Sequence, residues 1–377
     1  MKIIIAPDSY KGSLSAQLAA RALARGVERV APGTECLCLP IADGGEGTLD
    51  TLVTPEEMRR VTVRGTNGAP VEAEFGIRNG TAVIEMARAA GLTLVPVEER
   101  DPLLASTYGV GELILHALDA GCREILLTVG GSGTNDGGSG MFCALGGRLL
   151  DESGNPLEGG GACLGKVARV DASGLDPRLS ECTFTVASDV TNPLLGELGA
   201  TMVYGAQKGA DAALREVLEA GMTQYAACLE AACGKKVATQ PGCGAGGGLI
   251  TPLLAFCHVR IRSGIESVLE SYHFDQLLEG VSFVITGEGR VDAQSCYGKA
   301  ISGVAEHARA QKIPVYVASG CLGEGWEALL EHGIASVVAL TDLAEEVPVE
   351  ERGAYCMANA DALLERAGEE IARAVLS

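Results

Sequence analysis

The chain reads as an α/β protein in which a parallel-sheet domain is interrupted by a second, mixed α/β domain. Three observations carry that reading. Both ends of the chain alternate short apolar strands with helical stretches, over residues 1–55 and 281–377. Residues 60–86 instead show period-2 alternation broken by Asn-Gly turns. The length, 377 residues, suits two domains at roughly 100–200 residues each.

The first strand is the apolar run Ile3-Ile4-Ile5-Ala6, and a helix follows over 15–30, with Leu18, Ala19, Leu23 and Val27 at helical spacing. A second strand, 36–39, runs into Pro40-Ile41-Ala42-Asp43-Gly44-Gly45-Glu46-Gly47-Thr48. Near the other end the reading is a strand at 281–286 followed by Gly287-Glu288-Gly289, a helix at 298–311 and a strand at 315–318. A helix at 326–332, a strand at 336–340 and a closing helix at 356–375 complete it. Such alternation argues for a parallel sheet covered on both faces. The interrupting domain spans 56–280. Its first part alternates at Val61 and Val63, at Val71, Ala73 and Phe75, and at Ala82, Ile84 and Met86. Asn67-Gly68 and Asn79-Gly80 separate these runs as hairpin turns do. A helix over 107–120, strands at 124–129 and 184–187, and a long helix over 211–233 follow.

Composition narrows function. Hydrophobic residues make up 47% and charged residues 21%, so a sizeable core is available and disorder is excluded. The balance of 29 basic to 49 acidic residues gives a net charge of −20, which repels nucleic acid and anionic membranes. An anionic ligand must therefore be captured by local lysines, arginines, helix N-termini or a metal. Thirteen cysteines are an odd, irregularly spaced set with no C-x-x-C, which reads as free thiols in a reducing compartment. None of the five histidines stands at zinc spacing with cysteine. The N-terminal apolar run is too short for a signal peptide, and no stretch of about 18 apolar residues occurs. A soluble cytoplasmic protein, monomeric or homodimeric, is expected.

Chemistry is concentrated in glycine-rich loops after strands. Glycine lets a backbone approach a ligand closely, and successive N–H groups then form an anion site. The strongest segment is Gly130-Gly131-Ser132-Gly133-Thr134-Asn135-Asp136-Gly137-Gly138-Ser139-Gly140. It suits phosphate or substrate contact, or it merely reverses the chain. Asp43-Gly44-Gly45-Glu46-Gly47-Thr48 offers two carboxylates for Mg²⁺ or hydroxyl binding, or an acidic helix start. Asp8-Ser9-Tyr10-Lys11-Gly12-Ser13 places a lysine and a carboxylate just past the first strand, a position that favours phosphate, metal or hydroxyl binding over mere helix capping by Ser13 or Ser15. Ser188-Asp189-Val190-Thr191-Asn192-Pro193 offers Asp189 as a general base or an Asx turn. Gln207-Lys208-Gly209-Ala210 carries a lysine of either functional or solvated character. Thr286-Gly287-Glu288-Gly289-Arg290-Val291-Asp292, followed by Gly298-Lys299, brings positive charge toward a phosphate. The uncharged run 240–248 reads as a structural turn. Gly160, Gly165 and Lys166 mimic a P-loop, but Val167 replaces the required Ser/Thr.

Taken together and in this order, the 8–15, 42–48, 130–140, 188–194, 207–210 and 285–290 segments resemble the type I glycerate kinase family over nearly the whole chain. Small departures are Tyr10, Gly133, Ala206 and Ser282, where the family usually has phenylalanine, alanine, proline and aspartate. The resemblance implies phosphoryl transfer from ATP to D-glycerate with Mg²⁺, giving 2-phosphoglycerate. It also implies a flavodoxin-like domain interrupted by a mixed α/β insertion. On that footing Asp189, Lys11, Asp8 and Lys208 are catalytic candidates. Gly130, Gly131, Ser132, Thr134, Asn135, Gly137, Gly287, Gly289 and Lys299 are candidates for ATP. Ser9, Asp43, Gly44, Gly45, Glu46 and Arg290 are candidates for substrate, and Asp8, Asp189 and Asp292 for the metal. A sugar-acid-binding regulator without catalysis, or a kinase of a related hydroxy acid, are the alternatives.

Overall fold

The computed structural model describes residues 1–42, 44–296 and 300–376. Asp43 and Lys299, two of the candidate site residues, lie outside the described residues. The chain divides into two compact units, Met1–Asp43 with Ser263–Ser377, and Gly44–Arg262. The sequence placed the boundaries at 55/56 and 280/281. The helix Thr48–Leu52 belongs with the second unit because Glu85 of that unit caps it. The helices Gly264–Ser271 and Phe274–Leu277 belong with the first, through Glu266 and Asp275 bonded to His307.

The first unit is a five-stranded sheet in the order Ile334–Ala339, Val315–Leu322, Val284–Val291, Lys2–Pro7, Glu35–Cys38. Every neighbouring pair is parallel. Ile3, Ile4 and Ile5 are fully buried at its centre, as a strand covered on both faces requires. The helix Ala16–Val30 begins where Ser15 accepts a hydrogen bond from the Leu18 N–H, the N-cap arrangement. Its Ala19, Ala20, Leu23 and Val27 face the core. It packs on the helix Ala360–Leu376, where Arg25 reaches Asp361 at 2.6 Å and Glu365 at 2.9 Å.

Two expectations are corrected here. The strand read at 281–286 begins at Val284 and continues to Val291, so Gly287 and Gly289 lie within it. Pairing with Val315–Leu322 carries it past the glycines. The closing helix is two, Val349–Ala358 and Ala360–Leu376. Asn359 breaks the run by leaving helical backbone angles, and its side-chain amide donates to the Tyr355 carbonyl.

The second unit holds a six-stranded sheet: His258–Arg262, Thr183–Ala187, Glu124–Thr128, Thr81–Glu85, Pro70–Arg78, Met58–Arg64. The first four are parallel to one another, and the last two join as antiparallel hairpins. At the Asn79-Gly80 turn both residues take positive φ, 51° and 84°, the type I′ geometry that matches strand twist. One core lies under this sheet around Phe184, Leu127, Ile84 and Leu113. A second surrounds Tyr225 and Leu229 of the helix Ala212–Cys233. Among the described residues no helix is long and apolar enough to cross a membrane.

Gly287 shows how tightly the first sheet is packed. A β-carbon there would lie 2.0 Å from the Ala318 carbonyl oxygen and 2.7 Å from the Tyr10 hydroxyl. Gly287→Ala is expected to destabilise the protein by about 1–3 kcal/mol through overpacking, read as a lower urea midpoint. An unchanged midpoint would refute the packing of Tyr10 onto this strand.

Candidate active site

In the second unit the parallel strands share a register. Glu85 pairs with Thr128, Thr128 with Ala187, and Ala187 with Arg262. The loops that follow these strands therefore leave the sheet along one edge, the carboxyl edge where α/β sheets carry their ligands. The 130–138 loop follows Thr128 directly, and the loop with Asp189 follows Ala187.

The 130–138 loop is shaped from beneath by Asp136, which is fully buried. Its Oδ2 accepts from the Thr107 N–H and hydroxyl, both at 2.8 Å, and from the Gly140 N–H at 3.1 Å. Its Oδ1 accepts from the Gly138 N–H at 3.0 Å. Burial pushes this carboxyl above the ordinary aspartate range, and the four donors oppose that push. Thr107 in turn accepts from the Met141 N–H. Lys208 is the second organiser. Only 1% exposed, it donates from Nζ to the Ser132 hydroxyl at 2.8 Å and to the Thr134 carbonyl at 2.6 Å. Burial pulls its pKa down to about 8, with the Asp136 charge working the other way. Lys208 is thus neither a solvated lysine nor an exposed cation. It sits in the short turn Ala206–Lys208 and pins the loop.

The other loop candidates fall into place around this frame. Gly130 and Gly131 pack against the 44–47 segment: a β-carbon at Gly131 would meet the Glu46 carboxylate at 2.0 Å. Gly45 is the neighbour of Gly130, and its carbonyl accepts the Thr48 hydroxyl. Asn135 donates to the Thr201 hydroxyl at 3.1 Å. Thr134 Oγ1 and Asn135 Oδ1 are buried with no hydrogen-bond partner among the described residues. The Gly137 N–H donates to the Gly247 carbonyl, so the 240–248 run buttresses the loop. Asp189 is exposed at the start of its own loop. That loop is held by Asn192, which donates to the Leu198 carbonyl and accepts the Tyr204 hydroxyl, each at 2.8 Å.

Sequence reasoning missed Glu85. It is 3% exposed and accepts from the Gly47 N–H at 3.1 Å and the Leu49 N–H at 3.3 Å. Burial raises its pKa, and these donors work against the rise. The helix start at 48 is therefore capped from a neighbouring strand rather than by the acidic loop itself. The available signal was a lone carboxylate closing an apolar strand.

The first unit has its own cavity of about 380 Å³ at the carboxyl edge of its sheet. Asp8, Ser9, Lys11, Glu288, Gly289 and Arg290 line one part of it. The Asp8 N–H donates to the Gly287 carbonyl at 2.8 Å, and Asp8 Oδ1 accepts the Ser9 N–H at 2.5 Å. Gly287 therefore lies beneath the cavity rather than in its wall. Tyr10 also lines the cavity though almost wholly buried, its hydroxyl donating to the Ala318 carbonyl, and burial with the nearby Glu288 and Asp8 charges holds it neutral. Arg290 lies 3.6 Å from Asp292, and Glu288 accepts the Ser295 hydroxyl. Leu340, Thr341, Cys356, Met357 and Ala360 also line it and were not read as site residues from the sequence.

The second unit's loop, shaped by buried charges, and the first unit's cavity, which offers cations and carboxylates, are each features that phosphoryl transfer can use, since that reaction depends on positioning and charge neutralisation. The comparisons agree. Residues 3–376 match the model of the Glycerate kinase family. A glycerate kinase of Halalkalibacterium halodurans is 46% identical over 98% of this chain and 97% of its own. Escherichia coli glycerate 2-kinase is 43% identical over 94% of each chain. A crystal structure described as a candidate glycerate kinase 2 of Salmonella typhimurium LT2 superposes with a TM-score of 0.87 at 41% identity, covering 100% of this chain and 98% of that one. The protein is a kinase of mixed α/β fold with parallel sheets. It belongs to the glycerate kinase family.

Two outcomes test the loop. Asp136→Asn turns an acceptor into a donor facing N–H groups and should destabilise the protein by about 1–3 kcal/mol, measured by chemical denaturation. Lys208 has a folded pKa near 8, below the unfolded value of about 10.4. Between these values the unfolded chain holds the extra proton, so this group's contribution to stability is smallest below pH 8 and rises toward pH 10. The stability of wild type relative to Lys208→Met should rise over that window, and a flat difference would refute the buried ammonium.

Proposed function

We propose that the protein transfers the γ-phosphoryl group of ATP to a hydroxyl of D-glycerate, giving 2-phosphoglycerate. The observation that carries this is the near-full-length likeness to glycerate kinases, E. coli glycerate 2-kinase among them. The 2-1-3-4-5 strand order of the first unit supports a flavodoxin-like description. The second unit, flanked in sequence by both parts of the first, is read as an inserted domain. The free thiols fit a cytoplasmic setting.

In this reading backbone N–H groups of the 130–138 loop other than those of Gly133, Gly137 and Gly138, which donate within the unit, contact phosphoryl oxygens, and Lys208 and Asp136 hold the loop in place without touching substrate. Lys11 and Arg290 face anionic groups in the first unit's cavity, with Ser9 beside them. Asp189 accepts the proton of the attacking hydroxyl, a role its exposure permits. Mg²⁺ fits the donors on the cavity. Asp8 and Glu288 both line it, and Mg²⁺ is commonly held by one or two carboxylates with phosphates and water completing the set. Asp292 is less suited because Arg290 already faces it. Bound there, the ion would neutralise charge on the nucleotide's phosphates.

A coupled assay with ATP, Mg²⁺ and a panel of hydroxy acids including glycerate and tartronate tests the activity. Glycerate should be preferred, and NMR of the product should place the phosphate on carbon 2. Asp189→Asn should lower kcat by about 10²–10⁴-fold. A folded variant with near-wild-type kcat removes Asp189 from the mechanism.

A further inference from the structure

The first unit's cavity is larger and less polar than glycerate requires. A three-carbon acid fills a small part of about 380 Å³, and its carboxylate and hydroxyls gain nothing from an apolar wall. Pockets of roughly 300–1,000 Å³ belong with larger ligands that are partly apolar. Here the wall beyond Asp8, Lys11, Glu288 and Arg290 includes the apolar Leu340, Cys356, Met357 and Ala360, with Thr341 and Ser13 among its polar members.

Met357 is the informative member. It is 51% exposed, although the apolar residues Leu340, Ala360 and Cys356 of the same wall are buried, at 1%, 4% and 5%. Its position is fixed at both ends. The Met357 carbonyl accepts the Ser13 hydroxyl at 2.5 Å. Its methyl rests over Gly12, where a β-carbon would lie only 3.0 Å away. Gly12 has φ +78°, so the loop carrying Lys11 turns directly beneath this side chain. An anchored, solvent-exposed thioether at a cavity rim, next to a cationic loop, is suited to cover a flat aromatic ligand whose charged portion lies by the lysine. Thioethers make favourable contacts with aromatic rings and adapt to their shape.

We infer that Leu340, Cys356, Met357 and Ala360 form the subsite for the purine base of the nucleotide, with Lys11 and Arg290 toward its phosphates. This rests on the reading of the protein as an ATP-dependent kinase. Met357 contributes to nucleotide affinity and to the preference for a purine, and it makes no contact with the acid.

Steady-state kinetics with ATP and glycerate varied separately test the subsite. Met357→Ala should raise KM for ATP about 5- to 20-fold, the effect of losing the apolar surface that the base covers on binding, with KM for glycerate within twofold. Met357→Leu, which keeps the bulk, should restore KM for ATP to within about threefold of wild type. Adenosine, which has no phosphates, should compete with ATP in the wild type, and its inhibition constant should rise in Met357→Ala. Unchanged KM for ATP in Met357→Ala, a rise confined to glycerate, or no competition by adenosine overturns the subsite. A wild-type enzyme that consumes no ATP with any acid overturns the kinase reading instead. Adenosine binding measured directly by calorimetry on wild type and Met357→Ala then still decides the subsite.

Discussion

The second unit is organised around one buried charged arrangement. Asp136 has no solvent, so its ionised form depends on the four donors around it. Three of those donors are backbone N–H groups, one supplied by the very loop that has to be shaped and one by the helix Ser139–Ala144 that follows it. Lys208, also buried, spends its hydrogens on Ser132 and on the Thr134 carbonyl. Removing one partner from such a set leaves the other buried and uncompensated. These bonds hold the glycine loop in its observed conformation. Its glycines permit close approach, and the two buried charges decide what that approach looks like.

Much of the fold was legible from the sequence. The apolar strand Lys2–Pro7, the helix Ala16–Val30 and the hairpins at Asn67-Gly68 and Asn79-Gly80 follow from local periodicity and turn chemistry, which act within a few residues. The strand around Gly287 was cut short because its continuation depends on pairing with Val315–Leu322 and on Tyr10, from the other end of the chain. The closing helix was read as one because Asn359 is a weak local signal beside the apolar periodicity around it. Glycine loops stood out as candidate sites, and Lys208 as a catalytic candidate, but the buried shaping roles of Lys208 and Asp136 did not. Lys208 and Asp136 look like ordinary polar loop residues until burial is known. Glu85 looks like the polar end of a strand until the Gly47 and Leu49 N–H groups meet it. The apolar cavity wall after Ala339 was missed for a related reason: its members are common hydrophobic residues, and only the rule that ligands gather at strand carboxyl ends would have singled them out.

The acidic surface sets a second condition. With a net charge of −20, the molecule repels its own anionic ligands at long range. The first unit answers this locally. Lys11 and Arg290 stand at the cavity, both exposed. Asp8 and Glu288 line the same cavity, which suits an ion-accompanied phosphate better than a bare one. Attraction is thus short-ranged, and at physiological ionic strength screening within about 8 Å weakens the repulsion from the rest of the surface.

The sheet of the first unit also dictates an order of assembly. Its central strand, Lys2–Pro7, is flanked by Glu35–Cys38 on one side and by Val284–Val291 on the other. The first neighbour leaves the ribosome within seconds, at about 5–20 residues per second. The second is made only after the whole of Gly44–Arg262 has been synthesised. The contiguous unit has every one of its strands in hand before that point. An unpaired, wholly apolar edge at Ile3, Ile4 and Ile5 must therefore wait through most of translation. The nascent chain is then most exposed to strand-to-strand aggregation, a hazard created by where the two halves of one sheet lie along the gene product.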